Sequence, residues 1–184
     1  MAQNGGRHTI IALVQDKPGV LTRVASLFRR RGFNIASLAV GKSEQPGLSR
    51  MTFVVDGDED TVNQVTKQLD KLIDVIHVFD ISGEEMVARE LALIKVKTTP
   101  GSRGEIIQIV QLFRANVVDV GSQSVVIEIT GEEDKINALY NLLQPFGILE
   151  MLRTGLVAMV RGQSNGRTSD SVGFDRSING VGGV

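Results

Sequence analysis

The segment at residues 15–24, QDKPGVLTRV, has the residue types in this sequence that are best suited to hold a small charged ligand. It joins an apolar run that predicts a strand to a segment with helical periodicity, so the first N–H groups of the helix lack helical partners. Those groups and the positive end of the helix dipole can hold a carboxylate. Gly19 has no Cβ and lets a ligand approach the backbone, and Asp16 can accept a hydrogen bond from an ammonium group.

Asn34 begins the next predicted strand, which we expect to lie near this loop, and its amide can donate and accept at once. N–H donors, a carboxylate and an amide together can bind both polar ends of a free amino acid. On spacing alone, however, a strand–helix turn that needs Pro18 and Gly19 for its geometry is the better explanation.

No group of residues in the sequence predicts a catalytic site. The two histidines, His8 and His77, fall inside predicted strands, and the acidic runs at 58–60 and 132–134 open predicted helices, where they complement the helix dipole. The sequence has no cysteine, phosphate-binding loop, dinucleotide fingerprint or metal-ligand spacing. A hydrolase that uses serine and lysine stays an alternative, although no particular residue indicates one. We therefore expect no catalytic residue, no metal and no cofactor on this chain.

The hydrophobic pattern predicts the elements that position the loop. The first half alternates as strand, helix, strand, strand, helix and strand, at residues 8–14, 18–31, 34–42, 49–55, 58–72 and 73–80. The second half repeats that order at residues 91–97, 103–115, 117–120, 125–130, 132–143 and 148–159. This βαββαβ order is that of the ferredoxin-like fold.

Residue matches between the halves support an internal repeat. LFRRRGFNI at 27–35 aligns with LFRANVVDV at 112–120, and GDEDTVN at 57–63 aligns with GEEDKIN at 131–137. The sequence therefore predicts an α+β protein with two tandem ferredoxin-like units, antiparallel sheets and helices on one face. The predicted divisions are an N-terminal tail (1–7), a first domain (8–82), a linker (83–90), a second domain (91–161) and a disordered tail (162–184).

Charge and hydropathy exclude several partners. The 20 basic and 21 acidic residues nearly cancel, so the chain lacks the positive field of a nucleic-acid or membrane-surface binder. No apolar run approaches the roughly 20 residues that span a bilayer. The N-terminus, MAQNGGRHT, has no apolar region typical of a signal peptide, and we therefore expect a cytoplasmic protein.

The strand–DKPGVL–helix–GFNI sequence resembles the ACT domain, a βαββαβ module whose pairs bind amino acids at their interface. More specifically, the segments GVLTRVASLFRRRGFNIASLAVG, LSRMTFVV, KQLDKLIDVIHV, ELALIKV and FRANVVDV are similar to the acetolactate synthase small-subunit family, in order and over nearly all of residues 8–161. The resemblance implies an N-terminal ACT domain, a homodimer, and activation and feedback inhibition, usually by valine, of a separate catalytic subunit. Thiamine diphosphate, magnesium and FAD are expected on that partner.

The resemblance also maps the effector contacts onto one set of residues: Asp16, Gly19, Val20, Leu21, Asn34, Ile35 and Gly41. Asp16 stands where many relatives have asparagine, which favours a contact with the ammonium group of the effector over donation to it. The alternative interpretation is a stand-alone amino-acid-binding regulator of the ACT type with a different partner. The sequence contains no evident helix-turn-helix segment, which argues against direct contact of such a regulator with DNA.

Overall fold

The computed structural model describes residues 6–162. Residues 1–5 and 163–184 lie outside the described residues, and with them nearly all of the tail that the sequence predicts to be disordered. Within residues 6–162, no helix is long and apolar enough to cross a membrane.

The first unit is a four-stranded antiparallel sheet with two helices. Its strand order is β2-β3-β1-β4, so β2 and β4 form the two edges. The elements in chain order are β1 (Gly6–Gln15), α1 (Val20–Arg31), β2 (Ile35–Lys42), β3 (Leu48–Gly57), α2 (Glu59–Leu69) and β4 (Val75–Asp80).

The second unit repeats this arrangement with the order β6-β7-β5-β8 and one additional strand, β9, that pairs with the beginning of β5. Its elements are β5 (Met86–Lys97), α3 (Arg103–Leu112), β6 (Asn116–Val120), β7 (Ser124–Gly131), α4 (Glu133–Leu143), a short 3-10 turn (Gln144–Phe146), β8 (Ile148–Arg153) and β9 (Val157–Val160). The prediction of two α+β units with antiparallel sheets and βαββαβ order is confirmed.

Each unit has its own core between one sheet face and its two helices. Along β1, Ile10, Ala12 and Val14 alternate toward the helices, and in α1 the spacing of Val24 and Phe28 produces one apolar stripe. The first core is partly aromatic, because Phe28 stacks on Phe53 with 5.3 Å between ring centroids. The second core is aliphatic, and its buried members come from β5, α3, β7 and α4: Ala92, Ile94, Val96, Ile106, Val110, Val125, Ile127, Ile129, Ile136, Leu139 and Leu143.

A third apolar cluster joins the two units. The linker predicted at residues 83–90 is wrong from Met86 onward. There β5 has already begun, and its residues 86–89 pair with β9. This two-stranded ribbon covers the face of the first sheet that the helices leave open, where Ile11, Ile81 and Ala158 are buried together. Charged residues at 84–85 and 89–90 make this segment resemble a linker, and only the pairing with a distant strand makes it a strand.

Three other boundaries differ from the sequence prediction. Gly6 and Arg7 belong to β1, not to a tail, because they pair with Gly57 and Asp56 of β3. Helix α1 begins at Val20 with Gly19 as N-cap, so Pro18 precedes the helix and is not its first residue. The predicted strand at 148–159 is broken at residues 154–156, where the chain passes from β8 to β9.

The predicted alignment of residues 27–35 with residues 112–120 is also wrong. The structurally equivalent positions are shifted from it by three residues. In each unit the helix ends with one residue of positive φ, Gly32 and Arg114, which fixes the alignment of the two copies. The next residue then donates its N–H back into the helix, from Phe33 to the Phe28 carbonyl and from Ala115 to the Val110 carbonyl. The shared letters LFR therefore do not mark equivalent positions.

Candidate functional site

The loop between β1 and α1, residues 16–19, presents unpaired N–H groups. Gly19 adopts φ +86°, a left-handed conformation that favours glycine, and no side chain caps the helix. Asp16 N–H donates to the Gly47 carbonyl at 2.8 Å, and Val20 N–H makes a long bond of 3.4 Å to the Lys17 carbonyl. The N–H groups of Gly19, Leu21 and Thr22 have no hydrogen-bond partner among the described residues. The loop can therefore receive an anion.

Arg23 adds a positive charge to this loop, and the sequence pattern alone did not indicate it. Its Nε atom lies 2.5 Å from Oδ2 of the buried Asp74, which holds the side chain in place. A Cβ built on Gly19 would lie 3.4 Å from Arg23 Nη1, so the guanidinium lies directly beside the glycine. The spacing of four residues, one helical turn, is the signal that could have identified Arg23.

Val20 and Leu21 differ in what they offer a ligand. The Val20 side chain is only 3% exposed and belongs to the core, so this residue can contribute no more than its backbone. The Leu21 side chain is 47% exposed on the outer surface of α1, where it lines a shallow depression with Thr22, Ala25, Ser26 and Arg29.

Asn34 and Ile35 lie at the opposite end of the sheet, which corrects the expectation that Asn34 is near the loop. Ile35 pairs with Val55, whereas the loop follows Gln15, which pairs with Leu48. The length of β3 between those points corresponds to about 25 Å at roughly 3.4 Å per residue. Helix α1 carries the chain back along the sheet, so β2 must start at the far end. The Asn34 amide donates to Asp56 Oδ2 at 3.3 Å.

Gly41 returns to the loop end of the sheet. It is exposed and pairs with Arg50 on β3, one residue from the end of β2. Strand β2 is an edge strand, and no other strand of the described chain pairs along its outer side. A single chain therefore places Asp16, Gly19 and Gly41 at one end of an open edge, and Asn34 and Ile35 at the other.

The described residues contain no group of three or more histidine, cysteine, aspartate or glutamate side chains that could hold a metal ion. The arrangement at the loop is one of hydrogen-bond donors and opposite charges, which can bind a small zwitterion.

Comparison with known proteins identifies the family. Residues 10–77 match the model of the AHAS small subunit-like ACT domain, and residues 89–162 match that of the small subunit of acetolactate synthase. The probable acetolactate synthase small subunit of Archaeoglobus fulgidus is 57% identical over 156 residues, which cover 85% of this chain and 98% of the relative. The chain belongs to the acetolactate synthase small-subunit family.

Other small subunits agree with this assignment. That of Mycolicibacterium smegmatis is 52% identical over 162 residues, covering 88% of this chain and 95% of its own. The crystal structure of the small subunit from Thermotoga maritima matches with a TM-score of 0.81 and 45% identity, over 86% of this chain and 99% of the other. The chain is accordingly a regulatory, non-catalytic subunit of acetolactate synthase. Membership implies a catalytic large subunit as its partner.

Proposed function

We propose that this small subunit forms a homodimer through its ACT domains, activates its catalytic subunit and makes that enzyme sensitive to valine bound between two copies. The observation that carries the proposal is the division of the site residues between the two ends of β2. An open edge strand can pair with the same strand of a second copy. A two-fold axis makes such pairing antiparallel.

Antiparallel pairing reverses one strand against the other. The Gly41 end of β2 in one copy then lies beside the Ile35 end in the second. The loop at 16–19 of one copy consequently lies at the same end of the joint sheet as Asn34 of the second copy. Each dimer has two such places, and each is built from both chains.

The chemistry at each place fits an α-amino acid. Its carboxylate meets the free N–H groups of Gly19 and Leu21 with Arg23 beside them, and its ammonium group meets Asp16. Asn34 of the second copy both donates and accepts, while Ile35 and Gly41 border the ligand along the edge. Valine bound there contacts both chains and favours the dimer arrangement for which it has higher affinity.

The catalytic chemistry belongs to the partner. Thiamine diphosphate, magnesium and FAD are expected on the catalytic subunit, as the family resemblance implies. A coupling free energy of about 1–3 kcal/mol between valine binding and the catalytic state would change activity or affinity about 5- to 150-fold. The cytoplasmic location stays a prediction from the sequence.

Asn34→Ala tests the assigned site, with Asn116→Ala as its control. The two asparagines are equivalent in the two units, and each amide donates at 3.3 Å to a carboxylate across the strand, Asp56 or Glu128. Asn34→Ala should weaken valine binding about 10- to 150-fold, because hydrogen bonds to a charged ligand contribute about 1.5–3 kcal/mol. Calorimetry should show unchanged binding for Asn116→Ala. Equal affinities for parent and Asn34→Ala would remove this residue from the site.

Gly19→Asp tests the loop end of the same site. The new carboxylate repels that of valine and occupies its place, so binding should be lost. Gly147→Asp, at a glycine with φ +94° in the second unit, controls for backbone strain. Both variants should still raise the activity of the catalytic subunit without valine. Normal valine inhibition with Gly19→Asp would contradict the proposal.

A further inference from the structure

The corner loop, residues 154–156 between β8 and β9, contacts strand β2 of the first unit closely. Leu156 N–H donates to Ser37 Oγ at 2.9 Å. Gly155 has φ +83°, and a Cβ built on it would lie 2.8 Å from Ser37 Oγ and 3.1 Å from the Leu38 carbonyl oxygen. Only glycine fits this position, on grounds of both conformation and space.

The contact falls on the part of β2 that lies between the two ends of the proposed effector site. Ser37 and Leu38 follow Ile35 and precede Gly41 on the same strand. The pairing of β2 with β3 shifts register between Ile35 and Ser37, so the strand is irregular where the corner loop meets it. Bulged positions interrupt the ladder and locally bend the strand.

The other side of the corner loop is fixed to the second sheet. Thr154 N–H donates to the Leu91 carbonyl at 3.1 Å, and Leu91 N–H donates to Thr154 Oγ1 at 3.1 Å. Arg153, immediately before the loop, pairs with Ala92 in β5. Three consecutive residues, 154–156, therefore connect β2 of the first unit to β5 of the second.

Attachment of the two units does not depend on this contact. The cluster of Ile11, Ile81 and Ala158 buries apolar surface between them, and an ion pair joins Arg7 to Glu133. A cavity of about 440 Å³ adjoins the contact, with Ser37 and Gly155 in its wall together with Glu90 and Arg153. The packing beside the corner loop is therefore incomplete, while other contacts join the units.

We propose that the contact of Gly155 and Leu156 with Ser37 transmits the state of the valine site on β2 to the second unit. This inference rests on the proposed valine site and specifies its regulation. Two variants weaken the contact in different ways. Gly155→Ala introduces a Cβ where Ser37 and the backbone of β2 already lie, and Ser37→Ala removes the acceptor of the Leu156 N–H.

Matched controls separate transmission from local damage. Gly147→Ala alters a glycine of similar φ whose Cβ would meet only Lys97 Cβ at 3.7 Å. Ser43→Ala removes a hydroxyl that accepts a backbone N–H within the β2–β3 hairpin, from Gln45 at 2.9 Å. Neither control substitution alters a contact between the two units.

The experiment measures valine binding by calorimetry, and activation and valine inhibition after reconstitution with the catalytic subunit. Gly155→Ala and Ser37→Ala should bind valine within about twofold of the parent, because the contact lies outside the ligand's contacts. They should activate the enzyme, yet lose about fivefold or more of the coupling between valine and activity. The controls should be inhibited like the parent.

Full inhibition with both contact variants would overturn the proposed transmission and leave the valine site intact. Loss of valine binding together with inhibition would also overturn it, because the contact would then support the site itself. Failure of the parent chain to bind valine would instead refute the proposed function.

Discussion

The two units of this chain have the same fold and equivalent turns, but their first loops differ in how they are closed. In both, the residue after the first strand donates its N–H to the hairpin, from Asp16 to Gly47 and from Thr98 to Gln123, each at 2.8 Å. Both loops then contain Pro-Gly before the helix. The backbone geometry that the two loops share therefore does not by itself make a ligand site. The side chains of each loop decide whether it is open.

In the second unit, side chains of the loop bind two of its N–H groups, while those of Gly101 and Gly104 have no partner among the described residues. Thr99 N–H donates to Ser102 Oγ at 2.9 Å, and Ser102 N–H donates to Thr99 Oγ1 at 3.2 Å. Arg103 covers the same end, since its Nη2 atom donates to the carbonyls of Gly121 and Ser122. Lys17, Val20 and Leu21 stand at the matching positions of the first unit and make no such bonds among the described residues. The first loop therefore stays available to a ligand.

Removing Arg103 should produce the largest change in stability among the tests of this comparison. Arg103→Ala removes the two N–H donors of Nη2, which are shared among Thr98 Oγ1 and two carbonyls, and should lower the free energy of unfolding by about 1.5–3 kcal/mol. Leu21→Ala, at the matching exposed position, should change it by about 0.5 kcal/mol or less. Urea unfolding measures both, and equal effects would show that the second loop is not held closed as described.

Helix capping also distinguishes the units, with a smaller effect. Asp58 caps α2, and hydrogen bonds from the Thr61 hydroxyl and then the Thr61 N–H lower the pKa of the Asp58 carboxyl. Glu132, the N-cap of α4, makes no such bond and pairs with Arg89 instead. The two N-caps therefore differ in whether their carboxylate bonds to the first turn of its helix.

A lowered pKa in the folded state means that ionised Asp58 stabilises the fold above its ordinary pKa of about 3.9. That contribution disappears as pH falls through the lower folded value. Asp58→Ala should consequently be less stable than the parent at pH 7, with the difference shrinking below about pH 4. Glu132→Ala should show a smaller difference at pH 7. Urea midpoints across this range test the prediction, and a pH-independent difference for Asp58→Ala would contradict it.

The regular parts of the fold followed from local patterns. The apolar run of β1 and the apolar stripes of α1 and α2 predicted these elements, because β1 is buried along most of its length and each helix has one face in a core. The first residues of β5 and the break before β9 could not be predicted, because both depend on pairing between residues 86–89 and 157–160. The position of Asn34 relative to the loop depends on the lengths of α1 and β2. The sequence pattern around Asn34 therefore could not predict it.

The residue types of the loop predicted a ligand site, which stays a prediction, and its assembly from distant residues could not be predicted. Glycine, a carboxylate, a free helix N-terminus and the Asn34 amide suggested an amino-acid ligand, and the resemblance added Val20, Leu21, Ile35 and Gly41. Arg23 was missed because a basic residue in a helix has many ordinary roles. Only the structure shows that one chain separates these residues by the length of β3.

The central claim is that each valine site combines the loop of one chain with Asn34 of another, and a mixed dimer tests it most directly. A dimer of one Gly19→Asp chain and one Asn34→Ala chain, isolated with two different affinity tags, carries both defects. If the sites are shared, both changes fall on one site and the other contains only unaltered residues. Calorimetry should then find one valine bound per mixed dimer at the parent affinity, against two for the parent. No valine bound at the parent affinity would contradict the account, because each chain would then hold its own site and each site would contain one altered residue.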